Sequence, residues 1–138
     1  MKTSHLFVYG TLRPTAKHSM GEWLAARANF VGATTLEGGA LYELDGFPGL
    51  KSEAGHVQGD LYQLPEVRRK QVLEVLDEYE GLDPVHGYER TIVELVWEGE
   101  PVSAWVYFFR GEVRGRRRIP HGDWLRWVSE GDRDAMDL

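Results

Sequence analysis

The amino-acid sequence reads as an α+β domain whose short strands curve around one core. Segments with strand character outnumber those with helical periodicity, and the two kinds do not alternate in the regular order of a βαβ protein. The 138 residues, 42% hydrophobic and 28% charged, suffice for a single domain, taken to span 1–138, with a substantial core. So many short strands favour a curved or closed sheet, because closure removes exposed edges.

The first element is a strand over about 5–9. Leu6, Phe7, Val8 and Tyr9 form an unbroken apolar run, which suits a strand covered on both faces, and Gly10 then ends it in a turn. A glycine there permits positive φ, or lets another group come close to bare main chain, so LFVYGTLR over 6–13 is a candidate binding loop. The same residues also read as an ordinary strand-to-turn transition. Near-helical spacing of Met20, Trp23, Leu24 and Ala28 predicts a helix over about 17–28, packed on the sheet.

Strands are expected at 30–36, 40–44 and 57–64, separated by glycines and by the Asp45-Gly46-Phe47-Pro48-Gly49 turn. The strongest helical pattern covers 66–80, EVRRKQVLEVLDEYE, with Gly81 where a helix C-terminus favours a left-handed residue. Strands at 91–97 and 102–109 flank Glu98-Gly99-Glu100-Pro101, a turn between antiparallel partners. A basic segment and an acidic tail follow.

Composition removes several function classes. No run of about 20 apolar residues is present, so no membrane-spanning helix is expected. The first residues lack the apolar segment of a secretory signal, which predicts a cytoplasmic location. With no cysteine there is no disulfide, no thiolate nucleophile and no sulfur-ligated metal. A net charge of −6 argues against general nucleic-acid binding, which needs a basic footprint.

The histidines at 5, 18, 56, 86 and 121 have no HxxxH spacing and read as isolated surface residues, with no metal site expected. Arg114, Arg116, Arg117 and Arg118 read as a solvated loop, with steering of an anion as the alternative. The tryptophans at 23, 97, 105, 124 and 127 read as core or boundary packing, with Trp23 a possible cavity wall. No serine stands in a glycine-elbow context, so a serine-nucleophile hydrolase finds no support.

One carboxylate stands out. Wound as a helix, 66–80 places Val72, Leu73, Val75, Leu76 and Tyr79 on an apolar arc; Glu80 falls inside that arc, while Asp77, Glu74, Glu78 and Lys70 fall outside it, toward solvent. A half-buried carboxyl at a helix C-terminus has a raised pKa, from desolvation and from the helix dipole, and can take and give protons near neutral pH. A shift of two residues in the helix boundary turns Glu80 into an ordinary solvated carboxylate.

VYGTLRP, GALYELDGFPGL, VQGDLYQL, VLDEYEG, YERTIVELVW, AWVYFF and the Gly122-Asp123-Trp124 tripeptide occur in an order that resembles the γ-glutamylcyclotransferase-like family, in the short branch that includes γ-glutamylamine cyclotransferase. The resemblance runs from Leu6 to about Trp124, with YGTL and the LDxxEG of Leu76 to Gly81 its most specific parts. It implies a small mixed β-barrel with packed helices and a substrate cavity lined by the YGTL loop, Tyr9, Gly10, Thr11 and Leu12. It also implies Glu80 as catalytic acid/base and Tyr107 on a late strand facing the same cavity. Many relatives carry glycine after the LRP-like segment, where this chain has Leu12-Arg13-Pro14-Thr15.

The implied reaction is cofactor-free conversion of a γ-glutamyl amine or small γ-glutamyl peptide to 5-oxoproline and a free amine. The N–H groups of Gly10, Thr11 and Leu12 would bind the substrate carboxylate or the developing oxyanion. Two other classes stay open: a non-catalytic module that binds a small carboxylate ligand, and a structural interaction protein, which requires a collapsed cavity and a solvent-exposed Glu80.

Overall fold

In the computed structural model, residues 3–81 and 87–136 are described, with side chains as far as Glu130; His86 and the end of the acidic tail lie outside them. Six strands form one mixed sheet in the order β4-β5-β1-β3-β2-β6. The central strand β1 (His5–Val8) runs antiparallel to β3 (Phe47–Gln63) and parallel to β5 (Glu100–Phe109). The other partners, β2 (Asn29–Leu44), β4 (Tyr88–Trp97) and β6 (Arg118–Ile119), pair antiparallel.

The sheet curls into a half-barrel. Thr34 Oγ1 on β2 donates to Val96 O on β4 across 3.2 Å, although β5, β1 and β3 all lie between those two strands in the sheet. Gly32 permits this approach, because a Cβ there would stand 2.2 Å from the Trp97 ring. The expected architecture, a small mixed barrel with packed helices, is what forms.

β1 has the predicted cover on both faces. Phe7 and Tyr9 join the core inside the curl, with Leu41, Leu50, Leu61 and Trp124, whereas Leu6 and Val8 join a second core beneath the helices, with Leu24, Tyr62, Val72 and Leu76. Helix α1 (Ser19–Ala25) is shorter than predicted; a 3-10 turn, Pro14–Ala16, occupies the chain before it, and the His18 side chain caps its first turn by accepting from Met20 N. Helix α2 (Glu66–Glu80) has the predicted bounds and buries Val72, Leu73 and Leu76, each contributing about 2 kcal/mol of transfer free energy. Gly81 takes φ 65° and its N–H turns back to Asp77 O and Glu78 O, the left-handed closure a glycine favours.

Four expectations need correction. The strands expected at 30–36, 40–44 and 57–64 belong to one long hairpin, β2 and β3, whose register shifts at Phe30/Gly32 and Glu37/Gly39 carry glycine without breaking the ladder. Only Asp45-Gly46, with φ 46° and 102°, forms its turn, so Phe47 to Gly49 already belong to β3. The segment read as a tail is helix α3 (Trp124–Met136), anchored by buried Trp124. Of the described histidines only His56 is exposed as expected: His5, His18 and His121 are half-buried, and His121 Nδ1 accepts from Asp123 N. The arginine run is exposed as expected, with Arg116 paired to Asp45 at 3.0 Å and Arg118 donating to Ala54 O.

Candidate active site

The end of β1, the tip of the β2–β3 hairpin, the C-terminus of α2 and the tyrosines of β4 and β5 converge on a cavity of about 410 Å³. Every residue assigned to the site from sequence lines it: Tyr9, Gly10, Thr11, Leu12, Glu80 and Tyr107. Gly46, Phe47, Pro48, Tyr79 and Tyr88 complete much of the wall. Trp23 does not: it packs against the core under the helices, with the Arg27 guanidinium 4.5 Å from its ring centroid.

The turn after β1 is closed by Arg13 N donating to Gly10 O at 3.1 Å. Among the described residues, no backbone hydrogen bond of the turns and loops uses the N–H of Gly10, Thr11 or Leu12. Gly10 does not adopt positive φ; the second reason for a glycine applies, since a Cβ would meet Pro48 Cγ at 3.1 Å. Hairpin tip and turn thus touch, and glycine keeps the contact loose enough to leave the main chain bare.

Glu80 closes the other side. It is the last residue of α2, largely buried, and no described residue gives its carboxyl a hydrogen bond or an ion pair. Burial raises its pKa to about 7, because desolvation disfavours the charged form. Three tyrosines surround it, and its charge contributes to the raised phenol pKa of each, after burial itself. Their protons are already engaged: Tyr9 Oη donates to Tyr107 O (2.6 Å), Tyr88 Oη to Pro48 O (2.7 Å) and Tyr107 Oη to Asp77 Oδ1 (2.7 Å). A wall of hydrogen-bonded phenols results, beside a carboxyl whose pKa burial has brought to about 7.

Asp77 was expected in solvent and is not there. Arg90 from β4 grips both its oxygens, at 2.7 and 3.0 Å, while Tyr107 donates to one of them and the Arg90 guanidinium lies 4.5 Å from the Trp105 ring centroid. A single helix's periodicity cannot register what neighbouring strands bring to its flank. Tyr79, expected on the buried arc, is instead 37% exposed at the cavity mouth, sharing a 2.8 Å hydrogen bond with Thr11 Oγ1. Tyr88 carried no sequence signal for the site; the β4–β5 register, with Tyr88 opposite Phe109, puts it there.

The third class left open by the sequence required a collapsed cavity and an exposed Glu80, and neither is found. The model of the family described as γ-glutamyl cyclotransferase, AIG2-like, matches residues 6–126. The chain belongs to this family. It is 30% identical over 121 residues to the γ-glutamylcyclotransferase family protein YtfP of Escherichia coli K12, covering 87% of this chain and 95% of that one. The solution structure of E. coli ytfP superposes with a TM-score of 0.62 at 28% identity, covering 88% of this chain and 96% of the other. The fold also matches PH0828 of Pyrococcus horikoshii, with a TM-score of 0.68 at 21% identity over 95% of this chain and 98% of that one. Among the described residues no helix is long and apolar enough to cross a membrane.

Proposed function

We propose that the protein is a cyclotransferase that converts a γ-glutamyl amine or small γ-glutamyl peptide to 5-oxoproline, with Glu80 as its acid and base. The α-amine of the γ-glutamyl group attacks its own γ-amide carbonyl, forming the ring C–N bond. Glu80 takes the proton from the attacking nitrogen and returns it to the departing one, whose C–N bond to the carbonyl then breaks. One carboxyl suffices because the two transfers are sequential, and a pKa near neutrality serves both directions.

The single observation that carries this reading is a buried carboxyl with no ion-pair partner among the described residues, in a cavity it shares with the Gly10–Leu12 turn, and burial there raises its pKa to about 7. Main-chain N–H groups there suit the oxyanion on the γ-carbonyl, since preorganised donors strengthen as charge develops. The walls hold the flexible glutamyl chain folded, and such orientation is worth several kcal/mol of barrier. Family membership supports the same reaction class.

The test is 5-oxoproline release by the purified protein from γ-glutamyl amines, γ-glutamyl dipeptides and glutathione, with Glu80→Gln beside it. Release by the wild type alone supports the proposal and names the leaving group. Equal release by both sinks Glu80 as acid/base. A ligand that binds tightly and yields no product favours the non-catalytic binding module.

A further inference from the structure

Two sequence features remain unused by the proposed reaction: the arginine that ends YGTLR and the Gly122-Asp123-Trp124 tripeptide. An arginine inside a binding loop suggests a partner for the substrate carboxylate. Arg13 does not line the cavity. Its Nε donates to Asp60 Oδ2 at 2.8 Å and its terminal nitrogen to Asp123 Oδ1 at 3.3 Å, with only 12% of its side chain exposed. Asp60, 4% exposed, is the one polar or charged residue fully buried among the described residues.

The partners of Arg13 are themselves fixed. Asp60 sits on β3 directly opposite Val8, the last residue of β1, so the guanidinium is tied to the strand against which the turn begins. Asp123 also receives Arg126 N at 3.2 Å, which caps the start of α3. Gly122 holds it in place: its carbonyl accepts from Gln58 N at 2.8 Å, and a Cβ at this φ 69° position would stand 2.0 Å from His56 O. From the opposite side, α1 presses on the same turn, where a Cβ on Gly21 would meet Thr11 O at 3.0 Å.

We propose that Arg13 is a positioning residue: through Asp60 and Asp123 it clamps the Gly10–Leu12 turn to β3 and to the start of α3, and it does not touch substrate. The inference rests on the turn serving as a substrate-binding element, as proposed above. It gives the Gly122-Asp123-Trp124 tripeptide a role at a site it does not line. A guanidinium is suited to it because two carboxylates from different elements need a planar donor with several fixed N–H directions, which an ammonium lacks.

The experiment compares Arg13→Lys, Asp60→Asn and the double variant Arg13→Gln/Asp60→Asn, which removes both charges and leaves no buried ion unpaired. Circular dichroism checks that each is folded. Each single variant is expected to lose at least tenfold in kcat/KM for 5-oxoproline release, without moving the pH midpoint that Glu80 sets. The double variant is expected to lose no more than the worse single one, because the two side chains share one task. A folded Asp60→Asn within twofold of wild type overturns the inference, and so does an Arg13→Lys near wild type when Arg13→Gln alone is inactive, since charge at the substrate would then matter. If the wild type makes no 5-oxoproline, the proposed function fails and the clamp is read from amide resonances instead. Asp60→Asn should then shift Gly10, Thr11 and Leu12 more than Val67 on the exposed face of α2; unmoved turn resonances overturn it.

Discussion

Two carboxylates stand three residues apart on the last turn of α2, and their surroundings differ in almost every respect. Asp77 looks toward β4 and β5, where Arg90 and Tyr107 supply three hydrogen bonds. Glu80 looks into the cavity, where no described residue pairs with it and burial raises its pKa to about 7. One helix turn therefore carries a carboxylate fully engaged by its neighbours and another with no hydrogen-bond partner among the described residues. Asp77 is held as a structural anchor for the Tyr107 wall of the cavity, and the proposed function assigns proton transfer to Glu80.

Removing the cavity-facing group gives the largest expected effect. Glu80→Gln should lower 5-oxoproline formation by about 10² to 10⁴-fold, with the fold retained by circular dichroism. Loss of activity through unfolding, visible in the same spectrum, would break the comparison.

The second effect is in stability. The folded-state pKa of Glu80 lies above its unfolded value of 4.5, so the folded protein binds the proton more tightly. Its contribution is therefore full below pH 4.5 and is lost as pH rises through about 7. Over that window the wild type should lose about 3 kcal/mol relative to Glu80→Gln, because each tenfold difference in proton affinity between the folded and unfolded states is worth about 1.4 kcal/mol. Parallel urea-unfolding curves of the two proteins at about pH 5 and about pH 8 measure most of it; a constant difference contradicts the burial account.

Asp77→Asn sharpens the contrast from the other side. Both partners in its ion pair are about one-fifth exposed, so the loss should be about 1–3 kcal/mol of stability. The loss in kcat should stay below about tenfold, far less than general acid–base removal. Equal activity losses at positions 77 and 80 would erase the distinction. The smallest effect belongs to Tyr79→Phe, whose bond to Thr11 lies at the exposed mouth; it should cost about 0.5 kcal/mol in thermal unfolding and leave turnover nearly intact.

How far these features were legible depends on how local their causes are. β1 and α2 declared themselves because their burial follows chain periodicity, down to the Glu66–Glu80 bounds and the inward Glu80. The β2–β3 hairpin was fragmented because glycines that serve bulges and close contacts look, in sequence, like strand breaks. α3 escaped because it follows an irregular basic segment, and its anchor, Trp124, is buried by strands distant in the chain. Asp77 and Arg13 were misread or left unassigned for one reason: Arg90 lies 13 residues from Asp77, and Asp60 lies 47 from Arg13, so only the folded sheet brings each pair together.

The most direct test of the contrast on α2 is a carbon-detected NMR titration of the Glu80 side-chain carboxyl in the intact protein. A midpoint near 7 is the predicted result, tracking the rise of 5-oxoproline formation with pH. A midpoint near 4.5, the ordinary value for a solvated glutamate, would contradict the account.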